Sequence, residues 1–193
     1  MKTNIFLSLR LLTLLNACAP NLDNNLRPIA VANKVEEEGT KGRLSDFNIG
    51  YANVNLGQIN DRRQSEALAL IDSREVSPSN DLIENFTEAL KKRMQEAGMV
   101  ERSGAPMLNV NITEWLANVT PSFPNTTVNA KAAFEVELRK GLNVIYRGSY
   151  SGESERKSPF LTKHEVEKQL GIAMSVAISQ FEGDRVLRGS LSK

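Results

Sequence analysis

Two segments of the chain place apolar residues at a helical spacing. In residues 80–97 the apolar side chains recur about every 3.6 residues, charged side chains fill the other faces, and Gly98 is a typical terminator. The second segment begins after Thr162 and ends at Gly183. Thr162 and Glu165 have the spacing of a capping box at its start. Both segments are predicted to be helices that pack one face on a core.

Other segments have the residue types or the alternation of β-strands. The clearest alternation starts at Leu108, but the parity of its apolar residues changes near Thr113 and Glu114, which predicts a β-bulge there. Lys140 and Gly141 are typical of a hairpin turn. The predicted strands cover residues 51–56, 67–71, 108–119, 132–138 and 143–152.

The order of these elements, β-β-α-β-β-β-α, predicts an α+β fold. We expect a two-layer sandwich in which a mostly antiparallel sheet of about five strands carries two helices on one face. Residues 48–187 would form this domain, and residues 188–193 would be a C-terminal tail.

The first residues of the chain have the pattern of an export signal. Lys2 supplies a positive charge, and an apolar segment too short to span a membrane leads to Leu15-Asn16-Ala17-Cys18. Leu-x-Ala-Cys resembles the lipobox of bacterial lipoproteins, which implies cleavage after residue 17 and a diacylglycerol and an acyl chain on Cys18. The alternative is an N-terminal helix with a free core cysteine.

Residues 18–47 are predicted to be a lipidated cysteine followed by a flexible, polar tether. Removal of the leader takes away Lys2 and Arg10 and leaves 22 basic against 23 acidic residues, a net charge of −1. Acyl chains, rather than overall charge, would therefore hold the protein on a membrane. Ala19 follows the cysteine where inner-membrane lipoproteins of enteric bacteria have Asp, which favours the periplasmic face of the outer membrane by analogy.

Composition restricts the remaining classes of function. The 193 residues are 40% hydrophobic and 24% charged, which is typical of one globular domain with a tail. A formal net charge of +1 argues against a nucleic-acid partner. One Cys and one His exclude an internal disulfide, a thiolate cluster and a multi-histidine metal site. We expect no cofactor and no metal, apart from the covalent lipid on Cys18.

No catalytic constellation is recognisable along the chain. His164 is the single imidazole and lies in the first turn of a predicted helix, without a Ser or Cys motif to activate. Glu135 and Glu137 share one face of a predicted strand, but Lys131 and Arg139 beside them favour an ordinary solvated surface. We therefore expect no enzyme.

Two groups of residues are candidates for a partner surface. Arg62 and Arg63 flank a short strand together with Arg74, so a hairpin could collect guanidinium groups that bind phosphate or carboxylate; salt bridges to neighbouring acidic residues are the alternative. Trp115 and Phe123 follow the phase break and could project from the sheet, although core packing of Trp115 is the alternative.

Several of these segments together resemble the YajG-type lipoproteins of Gram-negative bacteria, a family of uncharacterised outer-membrane lipoproteins. The resemblance covers residues 18–187, and its landmarks are Cys18, Asp61-Arg62-Arg63, Ser73-Arg74, residues 90–99 and residues 146–150. It implies an anchored periplasmic α+β domain and no particular reaction. We expect an accessory or scaffold subunit of an envelope complex, bound to other envelope proteins and to the membrane through acyl chains. The alternative is a lipid- or amphiphile-binding auxiliary factor of an envelope transport system, which would need an apolar groove between helices and sheet.

Overall fold

The structure is a computed structural model that describes residues 53–191. The predicted leader, Cys18 and the tether of residues 18–47 lie outside the described residues.

The described residues form a mixed α+β fold of six strands and three helices. The elements are β1 (Asn55–Asp61), β2 (Ala69–Ile71), β3 (Arg74–Val76), α1 (Leu82–Glu96), β4 (Met107–Pro121), β5 (Thr126–Lys140), β6 (Asn143–Ser158), α2 (Lys163–Gly183) and α3 (Arg185–Leu191). The α+β class is confirmed, whereas the strand count of about five is too low and α3 was not predicted.

The sheet is mixed, which corrects the expectation of a mostly antiparallel one. Its order is β3-β2-β4-β5-β6, and β1 also pairs with β4. The three long strands β4, β5 and β6 are antiparallel neighbours, but β1 and β2 both run parallel to β4, β1 along its first half and β2 along its second. Parallel pairing needs a long crossover, and here α1 supplies it.

The short strand β3 returns from β2 through a tight turn. Asp72 and Ser73 form this turn with positive φ angles of 49° and 64°, as expected for a two-residue hairpin whose twist matches that of its strands. β2 and β3 have only three residues each, too few to show an alternation that could separate them in the sequence.

A β-bulge in β4 occurs where the change of parity predicts it. The register between β4 and β5 shifts between Ile112 and Glu114. Before the bulge, Val110 and Ile112 face the helices; after it, Trp115 and Ala117 face the helices as well, and all four are buried. The bulge therefore keeps a single apolar face along the whole strand.

Helices α1 and α2 cover this apolar face, and aromatic rings fill the space between the layers. Phe86 of α1 contacts Trp115 and Phe134 edge-on, with centroid distances of 6.3 and 5.6 Å. Phe181 of α2 contacts Phe134 and Tyr150 at 6.1 and 5.4 Å. These rings join both helices and three strands into one core.

The backbone of α2 lies directly on β6 at Gly152. A Cβ atom at this position would clash with the carbonyl oxygen of Ala173 in α2. Thr162 accepts a hydrogen bond from the backbone N–H of Glu165 at 3.1 Å, and α2 ends at Gly183, both as the sequence predicts.

The opposite face of the sheet is polar. Glu137 lies between Arg139 and Arg147, with N–O distances of 2.5 and 2.8 Å, and Lys131 pairs with Glu153 at 2.8 Å. None of the helices in residues 53–191 packs on this face.

Candidate functional site

Exposed apolar side chains are concentrated at the two ends of the sheet. The first end consists of residues 100–107, 139–145 and 184–191. We call it the entry end because the first described residues lie there: Asn53 pairs with Val100, and Asn55 with Met107. We call the distal end the loops 122–125 and 159–162, which lie at the other end of the long strands. The eight large apolar residues that are exposed in the described chain all lie at these ends: Val100, Met107, Leu142, Val144, Ile145 and Val186 at the entry end, and Phe123 and Phe160 at the distal end.

The distal end brings together two phenylalanines that are far apart in the sequence. Thr126 pairs with Ser158 across β5 and β6, so the loops that precede and follow these residues lie side by side. Phe123 is 97% exposed and Phe160 is 78% exposed. Two large apolar side chains left in water on neighbouring loops are typical of a contact site for another molecule.

Local hydrogen bonds fix both distal loops. The backbone N–H and the hydroxyl of Ser122 donate to the carbonyl of Asn125 at 2.9 and 2.6 Å, which closes the loop around Phe123. Ser158 accepts from the N–H of Phe160 at 3.3 Å and donates to its carbonyl at 2.7 Å. The two rings are therefore carried by ordered turns, which lowers the entropy cost of binding through them.

The entry end combines apolar with basic residues. Leu142 is 94% exposed in the two-residue turn between β5 and β6, where Gly141 has a φ of 62°. Val186 at the start of α3 is 69% exposed. Five basic residues lie at this end against two acidic ones, Glu101 and Asp184; the basic residues are Arg102, Arg139, Lys140, Arg185 and Arg188.

Asp184 ties α3 to β6 at the entry end. Its carboxylate accepts hydrogen bonds from the hydroxyls of Tyr146 and Tyr150 and from the backbone N–H groups of Val186 and Leu187, the last three at 2.9, 2.7 and 3.0 Å. Burial works to raise the pKa of Asp184, but these hydrogen bonds outweigh it and hold the pKa below its usual value. Burial and the hydrogen bonds of its hydroxyl with Tyr146 and Asp184 raise the pKa of Tyr150 above its usual range. Asp184 is therefore charged at neutral pH and caps α3.

Trp115 is in the core and is not part of a partner surface. It is 3% exposed, and its indole N–H donates to the carbonyl of Leu170 in α2 at 3.2 Å. The bulge at Ile112–Glu114 turns its side chain toward the helices, which is the physical reason that the surface interpretation is wrong for this residue.

Arg62 and Arg63 have different surroundings. The side chain of Arg63 is 5% exposed, and its guanidinium pairs with Asp61 at 2.8 Å and donates to the carbonyl of Ala67 at 3.2 Å. Burial works to raise the pKa of Asp61, but the hydrogen bonds and charge of Arg63 hold it below its usual value. Arg63 is thus a structural residue that ties the end of β1 to the segment that leads into β2, so it is removed from the candidate partner surface.

Arg62 is exposed and turns to the polar face of the sheet. It lines a shallow depression there together with Glu135, Glu137 and Arg147. Arg74 lies on β3, opposite Ile71 of β2. The guanidinium cluster that a hairpin could have formed from Arg62, Arg63 and Arg74 is therefore not assembled.

His164 is exposed in the first turn of α2. Glu137 pairs with Arg139 and Arg147. These two partners outweigh the effect of desolvation and lower the pKa of Glu137. No group of three His, Cys, Asp or Glu side chains within residues 53–191 has the geometry of a metal site.

Of the eight exposed apolar residues at the two ends, only Phe123 was singled out from the sequence, and Leu142 and Phe160 illustrate why the others were missed. Leu142 could have been found, because an apolar residue directly after Gly141 in a two-residue turn has to face water. Phe160 had no such signal, since its proximity to Phe123 depends on the register of β5 with β6.

Comparison with known proteins supports the fold and a broad family. A family model, Lipoprotein_16, described as uncharacterized lipoprotein, matches residues 52–191. Protein XCC0632 from Xanthomonas campestris, of the DUF330 family, is similar in structure with a TM-score of 0.56 and 10% identity, over 86% of this chain and 98% of that one. The hypothetical protein CT253 from Chlamydia trachomatis has a TM-score of 0.44 and 10% identity, over 73% and 98% of the two chains. The first similarity supports the α+β fold alone.

The search of curated proteins found no match. Among the helices of residues 53–191, none has the length and apolar character needed to cross a membrane.

Proposed function

We propose that this chain, which belongs to the Lipoprotein_16 family of uncharacterized lipoproteins, is an accessory or scaffold subunit of an envelope complex and catalyses no reaction. In this proposal Cys18 carries the lipid that anchors it to the periplasmic face of the outer membrane. The YajG-type lipoproteins are the group within which we would place it, on the landmarks quoted from its sequence.

The observation that carries the proposal is the exposed pair Phe123 and Phe160 at the distal end. Each phenylalanine ring buries about 150–250 Å² when it enters an apolar pocket, and aromatic anchors of this kind dominate the binding energy of many interfaces. The pair lies at the opposite end of the strands from Asn53, where the chain that leads to Cys18 enters. The anchor would therefore leave these rings free to meet another protein.

The alternative of a lipid- or amphiphile-binding factor finds less support. Such a protein needs an apolar groove between helices and sheet, whereas here Phe86, Trp115, Phe134 and Phe181 fill the space between these layers. A helix–sheet core packed in this way would have to open before an acyl chain could enter.

Site-specific photo-crosslinking in the full-length chain tests the proposal. A benzophenone amino acid replaces Phe123 in intact envelopes, and the matched control carries it at Leu142, an equally exposed turn residue at the entry end. We expect a protein adduct from position 123 that the control does not give. Phe160→Ser in the same chain should lower its yield about tenfold or more, since losing one of two aromatic anchors costs roughly 2 kcal/mol.

A protein adduct whose yield does not respond to Phe160→Ser would contradict a contact through the pair. Lipid as the sole product of position 123 would contradict the adapter function itself. Phe160→Leu should retain most of the yield, because it keeps apolar area on the same loop.

A further inference from the structure

We propose that the entry end is a membrane-contact face, which rests flat on the lipid surface that carries the anchor. Leu142 and Val186 would enter the head-group layer, and Arg102, Lys140 and Arg185 would meet anionic head groups. This inference rests on the proposed lipid anchor but concerns a different surface from the distal pair.

The apolar part of this face has the form of an interfacial wedge. Leu142 is 94% exposed at the outermost point of the β5–β6 turn. Val186 is held nearby, because Asp184 accepts from both its backbone N–H and the hydroxyl of Tyr146 in β6. Single aliphatic side chains on fixed turns can enter the boundary between head groups and acyl chains without exposing backbone to it.

The charges at this end complement an anionic lipid surface. Arg102, Lys140 and Arg185 have no acidic partner among residues 53–191. Two of them line a cleft of about 590 Å³ with Ile145 and Leu191. Lysine and arginine near a surface rich in anionic lipid are attracted within about one Debye length, roughly 8 Å at physiological salt. The net charge of the chain hides this local excess.

The first described residue, Asn53, lies at this face, so the chain that leads to the proposed anchor leaves the described fold here. Asn53 lines the same cleft as Arg102 and Lys140, and 34 residues separate it from Cys18. The tether predicted over residues 18–47 would raise the local concentration of the domain at the membrane to about the millimolar range, so that even a weak surface contact is populated.

Fluorescence of the full-length anchored protein in vesicles tests the proposal. With Cys18 acylated, Leu142→Cys provides a single thiol for an environment-sensitive dye, and Phe123→Cys provides the matched probe at the distal end. The vesicles contain phosphatidylethanolamine with or without phosphatidylglycerol, and spin-labelled head groups act as quenchers. We expect a blue-shifted, quenched dye at position 142 in vesicles with phosphatidylglycerol, and a water-exposed dye at position 123.

Reversing the charge of basic residues at the entry end is the second test. Lys140→Glu with Arg185→Glu should lower the quenching at position 142 about tenfold in vesicles with phosphatidylglycerol. Lys157→Glu with Lys163→Glu, an equal charge change near the distal end, should leave it unchanged.

Two results would overturn the proposal. One is equal exposure of the dyes at positions 142 and 123 in both vesicles. The other is a blue shift at position 142 that the spin-labelled head groups do not quench, since preceding residues or a second copy of the chain would then cover this face. Labelling of two thiols in the Leu142→Cys chain would instead show that Cys18 is not acylated, which separates failure of the anchor from failure of the contact.

Discussion

The entry end and the distal end both expose apolar side chains, yet their surroundings differ. At the distal end, the nearby lysines are already paired: Lys157 with Glu155 at 3.4 Å, and Lys163 with Glu167 at 3.5 Å. At the entry end, three basic residues lack an acidic partner within residues 53–191, and the exposed apolar residues are aliphatic except for Met107. Exposed apolar area alone therefore does not identify what binds at each end. The neighbouring charge does: basic residues without an acidic partner favour a lipid surface, and paired ones favour a pocket in another protein.

Among the changes considered, loss of the anchor would have the largest effect on the difference between the two ends. Cys18→Ser should abolish acylation and leave uncleaved precursor, because the thiol is the group that receives the lipid in the lipobox scheme. Mass spectrometry of the wild-type chain should find acyl mass on Cys18 and no residues 1–17. An intact leader on the wild-type protein would remove the reason to call either end membrane-proximal.

Truncation of the central core residue should loosen both ends together. Phe86 is 1% exposed and contacts rings from β4 and β5, so Phe86→Ala should lower the free energy of unfolding by about 3–5 kcal/mol. Denaturant unfolding followed by probes at positions 142 and 123 should give one shared transition. Separate midpoints would mean that the ends belong to different cooperative units.

Acid should lower the stability of the whole fold through the entry end, where Asp184 holds α3 to β6. The pKa of Asp184 is lower in the folded protein than in the unfolded chain, so its stabilising contribution is complete above about pH 5 and is lost as the pH falls through the two pKa values. Asp184→Asn should cost roughly 1 kcal/mol at pH 7 and reduce the acid dependence of unfolding. Denaturant titrations at pH 7 and pH 3 measure this; an unchanged acid dependence would assign it to other carboxylates.

The smallest effect is expected at His164, which is exposed on the first turn of α2. His164→Ala should change the free energy of unfolding by less than about 0.5 kcal/mol and leave the crosslink from position 123 intact. Lys163→Ala serves as the neighbouring control. Loss of an envelope phenotype in His164→Ala alone, with the same melt and the same crosslinks, would favour an enzyme over an adapter.

The sequence predicts those parts of the fold that depend on local periodicity. The bulge near Glu114 and the start and end of α2 follow from parity, a capping hydroxyl and a glycine. The parallel pairing of β1 does not, because its residues Asn-Leu-Gly-Gln-Ile-Asn-Asp hardly alternate and its pairing partner lies about fifty residues away. Such pairing is decided by tertiary contacts rather than by propensity.

The candidate site follows the same rule. Phe123 could be proposed from its own loop, whereas Phe160 joins it only through the register that sets Thr126 opposite Ser158. Arg63 shows the converse, since the sequence left open a binding surface or a salt bridge to a neighbouring acidic residue, and the structure shows the salt bridge to Asp61 together with a hydrogen bond to the carbonyl of Ala67.

The length of the long strands turns the domain into a spacer. β4 and β5 each have 15 residues, which at about 3.3 Å per residue separate the two ends by roughly 50 Å. If the entry end rests on the membrane, Phe123 and Phe160 are presented at a fixed height above it. A partner would then be selected by the distance of its binding pocket from the membrane as well as by the chemistry of that pocket. Lengthening the tether would leave this distance unchanged.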